Sequence, residues 1–408
     1  MIQLIKMAFR DLGRNRRRSL LSALALGIGL ALLLLMASVI AGEARGSLQS
    51  SIKLQSGNLQ VRSKTFDENK TSLAWTDLVE NPDKIAGQIA SLPPVQVATP
   101  RLYASGIVTA GDNSLGVRVV GIDPPSTANA PIQAGMVSGE FLKADDTTGI
   151  LIGQPLAEKL ALKTGDTTNL LVNTSNGDVT QQPFIIRGIY TTHTPAYDQS
   201  TVFMPLAKAQ AITQTQDHAS IIFVLVKNID QTNAVAAALQ SSQYQILTYL
   251  QMNELLVQFE QFSQVYMSVL YLIILAITAT VIVNTLIMSV FERTREIGIL
   301  SAIGMKSSSI MAMFFAESGM LGLGGIVMGL AIGGLMVAYF TKFGFYIGNI
   351  SAGVSGITLG DHIYAFLTPT DVITLTIAAL IVTMLAAIYP AVLAARMEPV
   401  DALRGGKK

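Results

Sequence analysis

The sequence predicts a membrane α-helical protein of four spans with a large extracytoplasmic α+β domain. Half of the 408 residues are hydrophobic and only 13% are charged, against roughly 25% charged in a soluble globular domain. The apolar residues gather into four runs that reach the about 20 residues needed to cross hydrocarbon. Between the first and second runs lies a long segment in which strand-like and helix-like patterns alternate. Such composition excludes a disordered chain. A net charge of +1 gives no support to nucleic-acid binding. With no cysteine in the chain, disulfides, thiolate metal sites and cysteine nucleophiles are excluded together.

Residues 1–19 form the first element, a cytoplasmic interfacial helix. Ile2, Ile5, Phe9 and Leu12 recur at helical spacing, while Lys6, Arg10, Arg14 and Arg17 mark a basic side. An ordinary basic flank with accidental periodicity is the alternative. The first membrane helix follows at 20–41, its apolar core too long for the 7 to 15 residues of a signal-peptide h-region. The second spans 266–290, the third 310–340 and the fourth 372–393. Six Lys or Arg residues precede Leu20, Arg293, Arg295 and Lys306 lie in 291–309, and Arg396, Arg404, Lys407 and Lys408 lie in the tail 394–408. The positive-inside rule puts these three segments, and both termini, in the cytoplasm. The connection 341–371 carries a single basic residue, Lys342, and belongs outside with residues 42–265.

Within 42–265, strands are expected at 59–62, 95–109, 115–122, 150–152, 170–173, 184–190, 220–227 and 245–248. Helices are expected at 82–92, 155–162 and 232–239, with a turn at 163–166. The mixture is α+β and leaves room for two subdomains. A last helical stretch, 251–264, runs into the second span, and its continuity would join the outer domain to the membrane mechanically.

Enzyme signatures are weak. His193, His218 and His362 are far apart in sequence and fit neither HExxH nor a nucleophile elbow. Asp145 and Asp146 read as an exposed turn. Gly304-Met305-Lys306-Ser307 ends like a Walker A loop but lacks its first glycine and preceding strand.

The strongest local pattern is Phe291 to Met305, between the second and third spans. A short surface helix here would place its apolar side, with Ile297, Gly298, Leu300, Ile303 and Gly304, in a groove of a partner protein, while Glu292, Arg293, Arg295 and Glu296 orient the contact. A loop that merely anchors its neighbours is the alternative. Gly325, Gly329 and Gly333 recur every four residues in the third span, and Ala25 and Gly29 form a shorter small-residue face in the first, patterns that suit close helix packing. A substrate contact at these positions is the other reading. Asn284 and Glu317 are unexpected in lipid and belong against protein, water or headgroups, with Glu317 lacking an evident acid or histidine partner for proton relay.

The chain resembles the FtsX-like permeases of ATP-binding-cassette systems, including the macrolide-exporter and lipoprotein-releasing branches. The resemblance rests on Glu292-Arg293-Thr294-Arg295-Glu296-Ile297-Gly298-Ile299-Leu300 with Ala302-Ile303-Gly304. It rests also on Tyr389-Pro390-Ala391, Ala394-Ala395-Arg396 and Glu398-Pro399-Val400-Asp401-Ala402-Leu403-Arg404, and on the stretch from Gly139-Glu140-Phe141 to Gly165-Asp166. It implies a multi-pass protein of a bacterial inner or plasma membrane that acts in a dimer with a second permease copy or paralogue. It further implies that 292–304 includes a coupling helix contacting a cytoplasmic ATP-binding-cassette ATPase. The chain shows no fused ATPase, so the resemblance requires a separate one. ATP and Mg would bind that partner, with no cofactor held directly and no catalytic residue here. The implied function is export or extraction of hydrophobic, lipidated or peptide substrates, lipoprotein release among them, in contact with membrane lipids and with a periplasmic adaptor or lipoprotein carrier. The alternative is a transmembrane signalling scaffold that regulates a cell-wall hydrolase.

Overall fold

The computed structural model describes residues 16–68, 70, 73–240, 243–348 and 360–398. The interfacial helix expected before Arg16 and the tail motif from Pro399 to Arg404 lie outside the described residues. The chain divides into two compact units. A helical unit comprises Met1–Glu43, Glu260–Phe345 and Tyr364–Lys408, and an α+β unit comprises Ala44–Phe259 and Tyr346–Ile363.

Four long helices carry the apolar runs: α1 Arg16–Ser51, α2 Glu254–Glu292, then, after the short α3 Thr294–Ala302, α4 Ser307–Phe343 and α5 Pro369–Ala395. All four exceed the expected spans at one or both ends, because helical hydrogen bonding continues past the apolar run. The helix entering the second span starts at Glu254, not Gln251. Thr248 N–H donates to Gln251 Oε1 at 3.0 Å and closes a separate turn, Tyr249–Met252, after which Asn253 leaves helical geometry. Pro369 opens α5 behind Thr368, whose hydroxyl accepts from Asp371 N–H at 3.1 Å.

In the helical unit, Leu26, Leu30, Leu33 and Leu34 of α1 pack with Ile282 and Leu286 of α2, Leu321 and Ile326 of α4, and Leu375, Ala379 and Ala387 of α5. A second cluster joins Val290, Ile297, Ile310, Met313, Phe314, Ala391 and Ala394. Glycines set the approach of α4 to α1. A Cβ on Gly325 would collide with Leu26, one on Gly329 would lie 2.8 Å from Leu30 Cβ, and one on Gly333 would lie 3.0 Å from Ala31 Cα. Gly29 turns to α2 instead, where a Cβ would lie 2.7 Å from Thr278 Oγ1, and Ala25 is half-buried on α1. The two small-residue faces of the sequence thus serve two different seams.

The α+β unit is built on β1 Leu59–Ser63, β2 Val79–Glu80, β3 Val95–Ala110, β4 Asn113–Ile122, β5 Met136–Gly139, β6 Gly149–Gly153, β7 Thr167–Asn173, β8 Val179–Tyr190, β9 Thr201–Pro205, β10 His218–Ala219, β11 Ile221–Val226 and β12 Tyr244–Thr248. Ten of them form one sheet, in the order β12-β1-β11-β3-β4-β9-β6-β8-β5 with β7 against β3 and β8. The long β3 serves two halves. Val95 to Arg101 pairs with β11, and Leu102 to Ala110 pairs with β4 across a two-residue turn at Gly111 and Asp112. One core gathers Leu59, Val61, Ile89, Ile222 and Val224, and another gathers Leu102, Ile150, Leu156, Phe184 and Val202. Strand β9 and the helix Leu206–Thr213 behind it were not expected. Thr201-Val202-Phe203-Met204-Pro205 is buried on both faces, so it shows no alternation to mark a strand.

Candidate coupling site

Helix α3 is set off from α2 at Arg293, whose backbone (φ −112°, ψ 16°) leaves the helical region, and after its last residue, Ala302, and the cap Ile303 the chain turns away at Gly304, whose φ of +96° suits glycine. The connection therefore holds a short helix clasped between two long ones. Its side chains divide into an inward and an outward set.

Arg293 points inward and is 8% exposed. Its Nε donates to Glu296 Oε2 at 3.2 Å on α3, and its Nη1 to Glu317 Oε2 at 3.5 Å on α4. Ser289 Oγ of α2 donates to Glu317 Oε1 at 3.2 Å. The planar fork of a guanidinium can hold two carboxylates on different elements, which a lysine ammonium does less well. Glu317, without an evident partner in the sequence, thus has a cation and a hydroxyl from residues more than twenty positions away. Ile297 and Gly298 are buried beside this network, and Leu300 is half-buried.

The outward set comprises Arg295, exposed, with Phe291 (59%), Ile299 (42%) and Ile303 (80%). Ile299 and Ile303 stand four residues apart on one helical face. Of the residues singled out from sequence, Ile303 and Arg295 face out, whereas Ile297 and Arg293 face in. Phe291 and Ile299, which the sequence pattern includes without a role of their own, join this outward set, and the spacing of Ile299 and Ile303 is the signal for it. Glu292 is engaged laterally, its Oε2 2.8 Å from Arg18 Nη1 of α1. Arg18 Nη2 also donates to the Thr285 carbonyl, and Ser22 Oγ lies 2.8 Å from Thr285 Oγ1. The arrangement can transmit force through a braced helix with an apolar outer face. No group of three or more metal-ligating side chains occurs among the described residues.

In the α+β unit, His193 and His362, far apart in sequence, both meet Asp361, at 3.0 and 2.9 Å. Asp146 is no free turn acid. Its Oδ1 accepts from the N–H of Gly149 at 2.8 Å and its Oδ2 from Arg187 Nε at 2.8 Å. Burial pushes the Asp146 carboxyl up, but these bonds outweigh it and hold it below the ordinary value. Asn284, expected against protein, water or headgroups, is exposed on α2.

Comparison with known proteins finds a MacB-like periplasmic core domain over residues 19–242 and an FtsX-like permease C-terminal region over residues 268–399. The lipoprotein-releasing system transmembrane protein LolE of Haemophilus influenzae is 24% identical over 399 residues, covering 94% of this chain and 93% of LolE. The macrolide export ATP-binding/permease protein MacB of Shewanella sp. (strain ANA-3) is 22% identical over 98% of this chain, which spans 60% of that protein. The solved periplasmic region of MacB from Actinobacillus actinomycetemcomitans aligns at 14% identity with a TM-score of 0.36, covering 51% of this chain and 96% of that one. With more than half of its length matched by the MacB-like core and most of the remainder by the FtsX-like region, the chain belongs to the MacB-like, FtsX-like family of ABC-transporter permeases.

Proposed function

We propose that the chain is the non-catalytic permease subunit of an ATP-driven complex that exports or extracts a hydrophobic, lipidated or peptide substrate. A separate cytoplasmic ATP-binding-cassette ATPase binds ATP and Mg and docks on the outward face of α3. A second permease copy or paralogue completes the complex, and both chain termini lie in the cytoplasm, as the basic flanks of the spans require. One observation carries this reading: α3 turns Ile299 and Ile303 outward while Arg293 ties its inner side to α4. An exposed apolar face on a helix that is braced from behind suits a groove on a partner protein. Lipoprotein release is one member of the substrate class, supported by the LolE relative that this chain matches along nearly its whole length.

The test is native mass spectrometry of the gently extracted endogenous complex, in parallel with an Ile299→Asp and Ile303→Asp double variant. Two four-span subunits and two ATPase subunits from the parent chain, with the ATPase lost from the double variant, are expected. An adaptor or a retained lipidated protein would identify the transport branch. Recovery with a cell-wall hydrolase, no cargo and an ATPase still bound to the double variant would sink the proposal and favour a regulatory scaffold.

A further inference from the structure

Glu317 lies ten residues into α4, about 15 Å along its axis at roughly 1.5 Å per residue. It is 6% exposed and stands one helical turn from Met313 and Phe314, members of the apolar cluster that also holds Val290 and Ile297. An ionised carboxylate in such surroundings is costly unless a cation and hydrogen-bond donors meet it. Arg293 and Ser289 supply both. Packing between α3 and α4 by itself would be served better by an apolar residue, because a buried ion pair is weak support for stability but strongly orientation-dependent. The pair is also not simply local. Arg293 reaches Glu296 on α3 with one edge and Glu317 on α4 with the other, so rotation of α3 about its axis would have to break one of the two contacts.

We propose that Glu317 is a positioning residue for energy coupling: through Arg293 it locks α3 onto α4, so that a push on the outer face of α3 is delivered to α4 as the movement of one body. This rests on α3 being the ATPase docking helix, and it adds a residue far from that face which decides whether docking produces work. Removal of the Glu317 charge leaves the outer face of α3 in place but lets α3 swivel on α4, so nucleotide binding moves α3 without moving the membrane helix.

The chain has no cysteine, so single and paired thiols can be placed without background. The complex is purified with the ATPase that accompanies it, and spin labels are placed at Ala302→Cys, exposed at the end of α3 and outside the Ile299–Ile303 pair, and Val327→Cys on the exposed side of α4. The distance between the labels is measured without nucleotide and with ATP and vanadate. In the parent chain it is expected to stay constant. In Glu317→Gln, which keeps the side-chain volume and a hydrogen bond to Ser289, it is expected to shift with nucleotide by more than the about 2 Å of an ordinary interface helix shift. Arg293→Lys, which retains the cation but loses the fork, should shift likewise. A constant distance in both single variants, or a nucleotide-dependent distance in the parent, would overturn the proposal. Cross-linking of Ile303→Cys to the ATPase in the parent background separates the two levels. Its absence would overturn the docking reading itself, whereas its presence with rigid single variants would overturn only the role of Glu317.

Discussion

His193 Nδ1 lies 3.0 Å from Asp361 Oδ2, although 168 positions separate the two residues. The contact joins two parts of the α+β unit, the stretch that carries Asp361 and the turn after β8. It is reinforced by the backbone, where Asp361 N–H donates to the His193 carbonyl at 2.8 Å, and His362 Nδ1 takes the other carboxylate oxygen at 2.9 Å. Burial pushes the Asp361 carboxyl up, but the hydrogen bonds from His362 and His193 outweigh it, and it is held below the ordinary carboxylate value. A carboxyl depressed in the folded state contributes stability above its unfolded value and loses it as pH falls through the folded value. Protection of the Asp361 and Ile347 amides, taken against the unstructured exchange rate at the same pH, should therefore hold from neutral pH down to the ordinary carboxylate range and fall below it. Asp361→Asn should show the lower protection at neutral pH already. Because the His193 side chain is 71% exposed, the loss is small, about 0.5 kcal/mol. Protection in Asp361→Asn equal to the parent's would show that the backbone bond holds the contact alone.

The α1–α4 seam gives a paired test. At Gly329 an added methyl would lie 2.8 Å from Leu30 Cβ and 2.9 Å from the Gly27 carbonyl oxygen, and neither can retreat without separating the helices. Gly334, on the same helix, has nothing within 4 Å. Gly329→Ala should cost about 2 kcal/mol by overpacking, while Gly334→Ala should be neutral or slightly stabilising through helix propensity. Thermal unfolding of the two full-length variants in the same detergent measures the difference. Equal midpoints would mean that the seam has slack.

The four spans were legible because hydrocarbon demands about 20 apolar residues in a row, a one-dimensional requirement that the sequence displays directly. The strands around β3, β4, β7 and β8 were legible by their alternation and turn residues. Other features depend on partners distant in the chain. Nothing local to His193 announces Asp361, 168 positions away, as its partner. Arg293 reads like its neighbour Arg295 in sequence, and only the backbone break between α2 and α3 turns one inward and leaves the other out. The same limit hid the division of the small residues, in which Gly29 meets Thr278 of α2 whereas Gly27 and Leu30 meet the α4 glycines.

Asp198 organises the turn that carries His193. It is 1% exposed, and its Oδ2 accepts from Thr192 N–H at 2.8 Å and its Oδ1 from Thr192 Oγ1 at 2.6 Å, with Thr191 Oγ1 at 3.1 Å. Burial raises its pKa, with these bonds opposing. The folded state thus holds the proton more tightly than the unfolded one, so this group favours folding most below the ordinary carboxylate range and progressively less as pH rises through its raised value. Asp198→Ala leaves part-buried donors without their acceptor and should cost about 2 kcal/mol, read as a lowered unfolding midpoint of the full chain. Asp198→Asn should cost less and should flatten the pH dependence of that midpoint between mildly acidic and neutral pH. An unchanged pH profile in Asp198→Asn would assign the slope to other carboxyls.

Glu292 and Arg295, three positions apart at the start of the coupling segment, should respond in opposite ways. Glu292 is held by Arg18 at 2.8 Å, with side-chain exposures of 38% and 28%, and so joins α2 to α1. A partly exposed pair of this kind contributes about 0.5 kcal/mol and is weakened by salt. Glu292→Gln should lower the unfolding midpoint slightly at low ionic strength, less at high ionic strength, and leave ATPase retention at the parent level. Arg295 stands exposed on α3 near Ile299. There a reversed charge changes the face that the proposed ATPase meets, and charges at the rim of an interface act chiefly on encounter rate and its salt dependence. Arg295→Glu should slow ATPase association severalfold at low salt, with little effect on the folding midpoint. Surface-immobilised permease titrated with the ATPase at two salt concentrations measures this directly. Slower association in Glu292→Gln together with parent-like association in Arg295→Glu would move the docking face from α3 to the α1–α2 junction.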